Sequence, residues 1–216
     1  MKNRHAKGVF VFGASGHAKV VIDIIERQGV YKVDFLFDDD PALKGRRFFG
    51  YEVLGGRDEL LDCRQSGELD GIVAIGSITA RKNVAAWLTD KGFGLLTAIH
   101  PSAILSRGVV IGAGTVLMAG TVVNADVVIG DNAIINTGVT IDHDCYLGDC
   151  VHIAPGTTLC GNVHVGESSF IGAGVTVIPN ITIGSNVVVG AGATVVRNVP
   201  DGVQVMGTPA RIVNKN

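Results

Sequence analysis

Apolar positions follow two different rhythms along this chain. Up to residue 99, short apolar runs alternate with stretches of helical spacing. Gly8 to Phe12 predicts a strand, and Gly13-Ala14-Ser15-Gly16-His17 follows it directly. Ala18 to Arg27 predicts a helix with Val20, Val21, Ile24 and Ile25 on one face. Val33 to Phe37 is a second strand, ended by Asp38-Asp39-Asp40-Pro41. A short helix at Arg57 to Cys63, a strand at Gly71 to Ile75, a helix at Thr79 to Lys91 and a strand at Leu95 to Ile99 complete this part. Alternating strands and helices imply an α/β unit with a small parallel sheet of the Rossmann type. Ligands in such sheets sit at the carboxyl ends of the strands, here Gly13 to His17, Asp38-Asp39 and Gly76-Ser77.

From Ile104 to Val199 the rhythm is six, in sixteen rows without insertion or deletion. The second position of every row is aliphatic, from Leu105 to Val195. The sixth is small or β-branched. The fifth is Gly, Asn, Asp, Ser or Cys, mostly types that tolerate a left-handed backbone. The third is often Gly. Six fits neither a helix nor a heptad. It suits a very short strand and a turn, with one apolar residue pointing inward each time. Three rows close one triangular coil of eighteen residues, and about five stacked coils bury a continuous aliphatic column. This pattern resembles the hexapeptide acyltransferases. Their fold, an all-β left-handed parallel β-helix, is what the resemblance implies here, since parallel crossovers are ordinarily right-handed. First-position valines such as Val110, Val116, Val122 and Val128 point outward and ask for cover.

His100-Pro101 marks the change of rhythm, with His100 read as a linker residue. The expected domains are 1–99 and 100–216, the second including a C-terminal tail. Thirty glycines and few aromatics fit the repeats. A net charge of −2 and pI near 6.3 argue against a nucleic-acid partner. Residues 168 to 196 carry no charge, yet Gly, Asn, Ser and Pro recur in them on the six-residue beat, so no membrane span is expected. Met1-Lys2-Asn3-Arg4 leads into a short strand rather than a long apolar leader. The four cysteines lack zinc-ligand spacing, and Cys145 and Cys160 read as small packing residues. A reducing cytoplasm is the expected compartment.

Two stretches carry candidate chemistry. The Gly-x-x-Gly turn before the first helix is either a structural turn or a phosphate or sugar site at a helix N-terminus; it lacks the full dinucleotide fingerprint. Asp38 to Asp40 are either a polar strand end or ligands for sugar hydroxyls or a sugar ammonium. Within the repeats, Asp142-His143-Asp144 keeps the beat with unusual residue types. A histidine between two carboxylates has what a general base needs, a partner that favours its protonated form and orients the ring. Asn136 and His152 are further polar departures within one coil's length; His164 is read as structural. A zinc site of the gamma carbonic anhydrase kind would need His143, His152 or His164 to converge. Their spacing does not match it, and no metal is expected.

GASGHAKVV, FDDDP, AIGS, AIHPSA, NTGVTIDHDC, VHIAPGTTLCG and GTPARIV together resemble the NeuD/PglD family of bacterial sugar acetyltransferases. That resemblance covers nearly the whole chain. It implies an acetyl-CoA-dependent N-acetyltransferase acting on the 4-amino group of a nucleotide-linked amino-deoxysugar, and a homotrimer with coenzyme A between subunits. It places the base on His143 and its supporting acid on Asp144, although Asp142 fits the same role by sequence. It puts Asn136 near the base, His152 near the thioester, and Ala173 and Ala191 along the coenzyme A arm. Ser15, Gly16, His17, Asp38, Asp39 and Gly76 fall on the nucleotide-sugar site. Asp40-Pro41 departs from the family pattern and leaves base and sugar open. A sugar O-acetyltransferase of the sialic-acid type and a non-catalytic β-helix binding protein are the alternative readings.

Overall fold

A computed structural model describes residues 6–64 and 69–215. The Met1-Lys2-Asn3-Arg4 start lies outside the described residues. The chain divides into two compact units, Met1–Pro101 and Ser102–Asn216.

In the first unit, β1 (Lys7–Phe12), α1 (Gly16–Gln28) and β2 (Tyr31–Phe37) run in succession. A short hairpin of β3 (Arg47–Phe48) and β4 (Tyr51–Glu52) follows, then α2 (Arg57–Arg64), β5 (Gly71–Val73) and α3 (Ile78–Asp90). The sheet order is β2-β1-β5, all parallel, as the alternating pattern requires. Phe10, Phe12, Phe37, Leu60, Leu88 and Phe93 form one buried core. Phe10 meets Phe37 and Phe93 edge-on, at 6.2 and 5.5 Å between ring centroids. Gly71 is glycine for the same reason, since a Cβ there would stand 2.5 Å from the Phe10 ring.

Three details differ from the sequence-based expectation. Val20 is exposed, and α1 instead buries Ala18, Val21, Ile22, Ile24 and Ile25. The strand expected over Leu95 to Ile99 is reduced to a single bridge from Leu95 to Gly71 and a short strand at Ala98–Ile99. The β5 partner is itself only three residues long, so it offers no longer ladder. The β3–β4 hairpin lacked an alternating run to announce it; its turn uses Phe49 (φ 47°) and Gly50 (φ 90°), both left-handed.

The second unit is a parallel β-helix. Each row of six contributes one two-residue strand, and residues pair in steps of eighteen: Val122 with Thr140, Val128 with Tyr146, Ile134 with His152. Three faces result. The first carries Thr140–Ile141 and Thr158–Leu159, the second Tyr146–Leu147, the third His152–Ile153. The second-position residues are buried from Leu117 to Val195, while Leu105 at the start of the column is exposed. Every fifth position from Gly108 to Gly192 has positive φ, including Asp126, Asp144 and Cys150. Buried hydroxyls at the sixth position tie coil to coil: Thr115 Oγ1 donates to Gly130 O and accepts from the Ala133 amide. Cys145 does the same with a thiol, donating to Cys160 O and accepting from the Val163 amide. That is the packing role expected of it.

Third-position glycines have a steric cause. A Cβ on Gly148 would lie 2.7 Å from the Glu167 nitrogen in the next coil. Among the outward valines, Val110 and Val128 are exposed and Val122 is half-buried, whereas Val116 is buried. Val203–Met206 adds a further rung to the third face, and Arg211–Lys215 pairs antiparallel with it; the repeat pattern stops too early to predict either. No described helix is long and apolar enough to cross a membrane.

Candidate active site

Two groups of polar side chains rise from the β-helix. The first occupies the corner after Thr140–Ile141. Asp144 takes the left-handed turn position (φ 59°), which swings its carboxylate back over the preceding residue. Its Oδ2 lies 2.7 Å from His143 Nδ1. Asp142 points the other way: its Oδ1 accepts from the His143 backbone amide and from Asn124 Nδ2, each at 2.9 Å. The two acids that the sequence could not separate therefore have different partners, one on the ring and one on the backbone. The Asp144 hydrogen bond, helped by the charge of Asp142, raises the His143 pKa above the ordinary histidine value. The Asn124 and His143 amide bonds hold Asp142 below the usual carboxylate range. His143 is exposed, so its ring is open to solutes.

The second group lies on the third face. Asn136 Nδ2 is 3.3 Å from His152 Nε2, while Asn136 Oδ1 accepts from the Thr137 amide. The His152 ring stands edge-on to Phe170 at 5.1 Å. Asn136, expected beside the base, thus has its described side-chain contact with His152. Ala173 and Ala191 are exposed turn residues one coil apart, linked by the Gly192 amide to Ala173 O at 2.8 Å. His164 contacts Asn162 at 3.4 Å and lies near Tyr146. Among the described residues, no group of three His, Cys, Asp or Glu side chains is placed to hold a metal ion.

In the α/β unit, the strand ends are laced together. The Gly13 amide donates to Phe37 O and the Ala74 amide to Phe12 O, both at 2.7 Å. Gly13 has φ 117°, and a Cβ there would lie 2.8 Å from Ala74 O, so only glycine fits. Asp38 is part of this lacing: its two oxygens accept from the Ala14 amide (2.7 Å) and the Asp40 amide (2.9 Å). Asp39 faces Arg57 at 3.1 Å. Ser15 and Gly16 are exposed at the start of α1, and His17 and Gly76 lie close together, with 3.9 Å between the His17 Cβ and an ideal Cβ on Gly76. A cleft of about 370 Å³ opens beside β2, lined by Asp38, Asp39, Lys44, Gly56, Arg57 and Glu59 among others. The Lys44 ion pair holds Glu59 down to about 2. Ser15, Gly16, His17 and Gly76 are outside that lining, but the Ala14 amide bond to Asp38 joins the Gly13 to His17 turn directly to it.

Two residues here were missed by sequence reasoning. Arg81 is buried and donates from Nη1 to Ile75 O (3.1 Å) and Gly76 O (3.0 Å), fixing the Gly76 loop; nothing in a helix-spaced arginine announces this. Asn124 clamps Asp142. It sits one coil before it, so subtracting eighteen from 142 would have found it.

A parallel β-helix of hexads that carries a histidine–carboxylate corner, joined in sequence to an α/β unit, defines a hexapeptide transferase. Residues 108–143, 126–161 and 162–197 match the bacterial transferase hexapeptide family (six repeats), and residues 8–88 match the PglD N-terminal domain. The chain belongs to the PglD-type family of bacterial sugar acetyltransferases. An asparagine-for-histidine variant of perosamine N-acetyltransferase from Caulobacter crescentus, solved with CoA and GDP-perosamine, is 44% identical. It aligns over 96% of this chain and 97% of its own, with a TM-score of 0.91. The acetyltransferase domain of PglB from Neisseria gonorrhoeae, solved with acetyl coenzyme A, is 38% identical over 96% of this chain and 100% of its own, with a TM-score of 0.87. UDP-N-acetylbacillosamine N-acetyltransferase of Bacillus subtilis is 38% identical over 116 residues, and that match spans about half of each protein, 52%.

Proposed function

We propose that the chain is an acetyl-CoA-dependent N-acetyltransferase acting on the 4-amino group of a nucleotide-linked amino-deoxysugar. The observation that carries this reading is the 2.7 Å contact between His143 Nδ1 and Asp144 on an exposed corner. It stands in a chain nearly half identical, over almost its full length, to a perosamine N-acetyltransferase solved with CoA and GDP-perosamine.

The residues divide the work as follows. Asp144 holds Nδ1, which leaves Nε2 of His143 as the free basic nitrogen. The neutral sugar amine attacks the thioester carbonyl directly. The new C–N bond forms, the C–S bond breaks, Nε2 takes the proton lost by the amine, and the sulfur leaves as a thiolate that takes up this proton from the imidazolium to end as a thiol. Asp142 orders the turn that presents the ring. Asn136 and His152 form a polar pair for the acyl carbonyl, and the exposed backbone at Ala173 and Ala191 takes the coenzyme A arm. Asp39, Ser15, Gly16, His17 and Gly76 serve the nucleotide sugar at the strand ends, with Asp38 acting through the Ala14 amide. No metal enters the scheme. Residues 1–99 thus form the nucleotide-sugar unit and 100–216 the acetyltransferase unit. A cytoplasmic homotrimer is the assembly proposed, in which neighbouring subunits cover Val110 and Val128; light scattering that gives a monomer counts against it.

Thiol release from acetyl-CoA with UDP- and GDP-linked 4-amino sugars, and with their 4-hydroxy counterparts, tests the reaction. Acetylation of the amines alone is expected. Acetylation of hydroxyls alone would make this an O-acetyltransferase, and no acetyl-CoA turnover or binding would leave a binding protein. Changing His143 to Ala should lower kcat by roughly two to four orders of magnitude; a loss of only a few-fold removes His143 from the role.

A further inference from the structure

We propose that Gly161 is a positioning residue, whose missing side chain leaves the space in which the His143 imidazole lies against Asp144. This rests on His143 being the base. An ideal Cβ on Gly161 would stand 2.7 Å from His143 Cε1, 2.9 Å from Nε2 and 3.4 Å from Nδ1. No real Cβ tolerates such contacts, so the ring and a side chain at 161 exclude one another.

The backbone gives no other reason for glycine here. Gly161 is not among the positive-φ residues of the column, unlike Gly156 (φ 67°) and Gly174 (φ 65°). The same corner carries Ala125 two coils before it and Pro179 one coil after it, so this edge of the prism accepts side chains. Only the coil that follows His143 leaves the position bare. The Cα of Gly161 cannot retreat either, because Asn162 N donates to His143 O (2.9 Å) and Asn180 N donates to Gly161 O (3.1 Å). With the backbone pinned on both sides, the exposed ring is the part that yields to an added methyl, and it yields by leaving Asp144.

Gly161→Ala should therefore fold normally and lose rate. The expected kcat is lower by on the order of tenfold to a hundredfold, as for a modest misplacement of a reacting group. KM for both substrates should stay within about threefold. Asp142 and Asp144 are the charged groups around the ring. Titration of the His143 ring by NMR in the full chain should give Gly161→Ala a value close to that of Asp144→Asn and below wild type. An unchanged ring titration overturns the proposal whatever the rates do. If the titration moves while His143→Ala keeps wild-type turnover, the clearance stands and the base assignment falls instead. The double variant His143→Ala/Gly161→Ala guards against a folding defect. With the ring gone, alanine at 161 should cost nothing beyond His143→Ala in Tm; an undiminished cost would mean that the glycine serves the backbone, which also overturns the proposal.

Discussion

The two units are held together by opposite strategies. The α/β unit buries Phe10, Phe12, Phe37 and Phe93, distant in sequence and each in a unique setting. The β-helix buries the same positions row after row, the second aliphatic residue and the small or β-branched sixth, and each coil bonds only to its neighbours, eighteen residues away on either side. In the repeat unit, the column does not depend on what stands at the exposed corners, so His143 can be placed there at little structural cost. In the α/β unit, exposed positions such as Ser15 and Gly16 sit beside residues that hold the structure. Gly13 and Asp38 at the strand ends hold the loops that they form, and Arg81 from α3 holds the Gly76 loop.

Breaking the aromatic core should have the largest effect. Phe10→Ala removes a fully buried ring with two aromatic neighbours, and should cost about 3–5 kcal/mol. Trp87 is the sole tryptophan of the chain and stacks on Phe93 at 6.2 Å, so urea unfolding followed by its fluorescence reads this unit directly. A shift below about 1 kcal/mol would mean that the ring is replaceable and the contrast with the repeats is overdrawn. Gly148→Ala is the counterpart in the column. It forces a methyl onto Glu167 in the next coil and should cost about 1–3 kcal/mol, because overpacking cannot be relieved by one side chain when the obstacle is backbone.

This difference also explains what the sequence could and could not reveal. The column was legible because its second, third, fifth and sixth positions each have a separate physical cause, repeated every row. The residues proposed for its chemistry were legible as departures from that beat, which is how His143 and His152 stand out. The direction of each carboxylate was not, since it depends on the left-handed φ of Asp144, and both acids are adjacent to the ring in sequence. Asn124 and Gly161 were within reach, at the coil spacing from Asp142 and His143, but reading along the chain does not look across coils. In the α/β unit, Asp38 reads as a candidate ligand, and its carboxylate also holds the Gly13-Ala14 turn through the Ala14 amide. An acidic residue at a strand end carries no mark that separates the two roles.

Asp144→Asn sharpens the distinction between the two acids. The Asp144 bond is the largest cause of the raised His143 pKa, so its loss lowers that pKa toward the ordinary value of 6.5. A base works only when neutral, so the wild-type rate should rise with pH through a midpoint above the ordinary value. In the variant, this acidic limb moves to lower pH. On the plateau, kcat should be lower by on the order of tenfold, because the imidazole is a weaker base and less firmly held. A limb that stays in place would assign the raised basicity to Asp142.

Asn124→Ala should produce the smallest change, and its size tests how much the preceding coil matters to the corner. Asn124 supplies the first of the two bonds that lower the Asp142 pKa. Without it, Asp142 Oδ1 still accepts from the His143 amide at 2.9 Å, and water takes the vacated site because the group is at the surface. Exposed polar contacts of this kind contribute up to about 1 kcal/mol, which corresponds to a loss of about two- to fivefold in kcat. The pKa of Asp142 should rise toward the usual carboxylate value, measurable by carbon NMR, while the His143 titration stays near wild type, since Asp144 is untouched. A loss as large as that of Asp144→Asn would show that the ring depends on the coil before it as much as on its own turn.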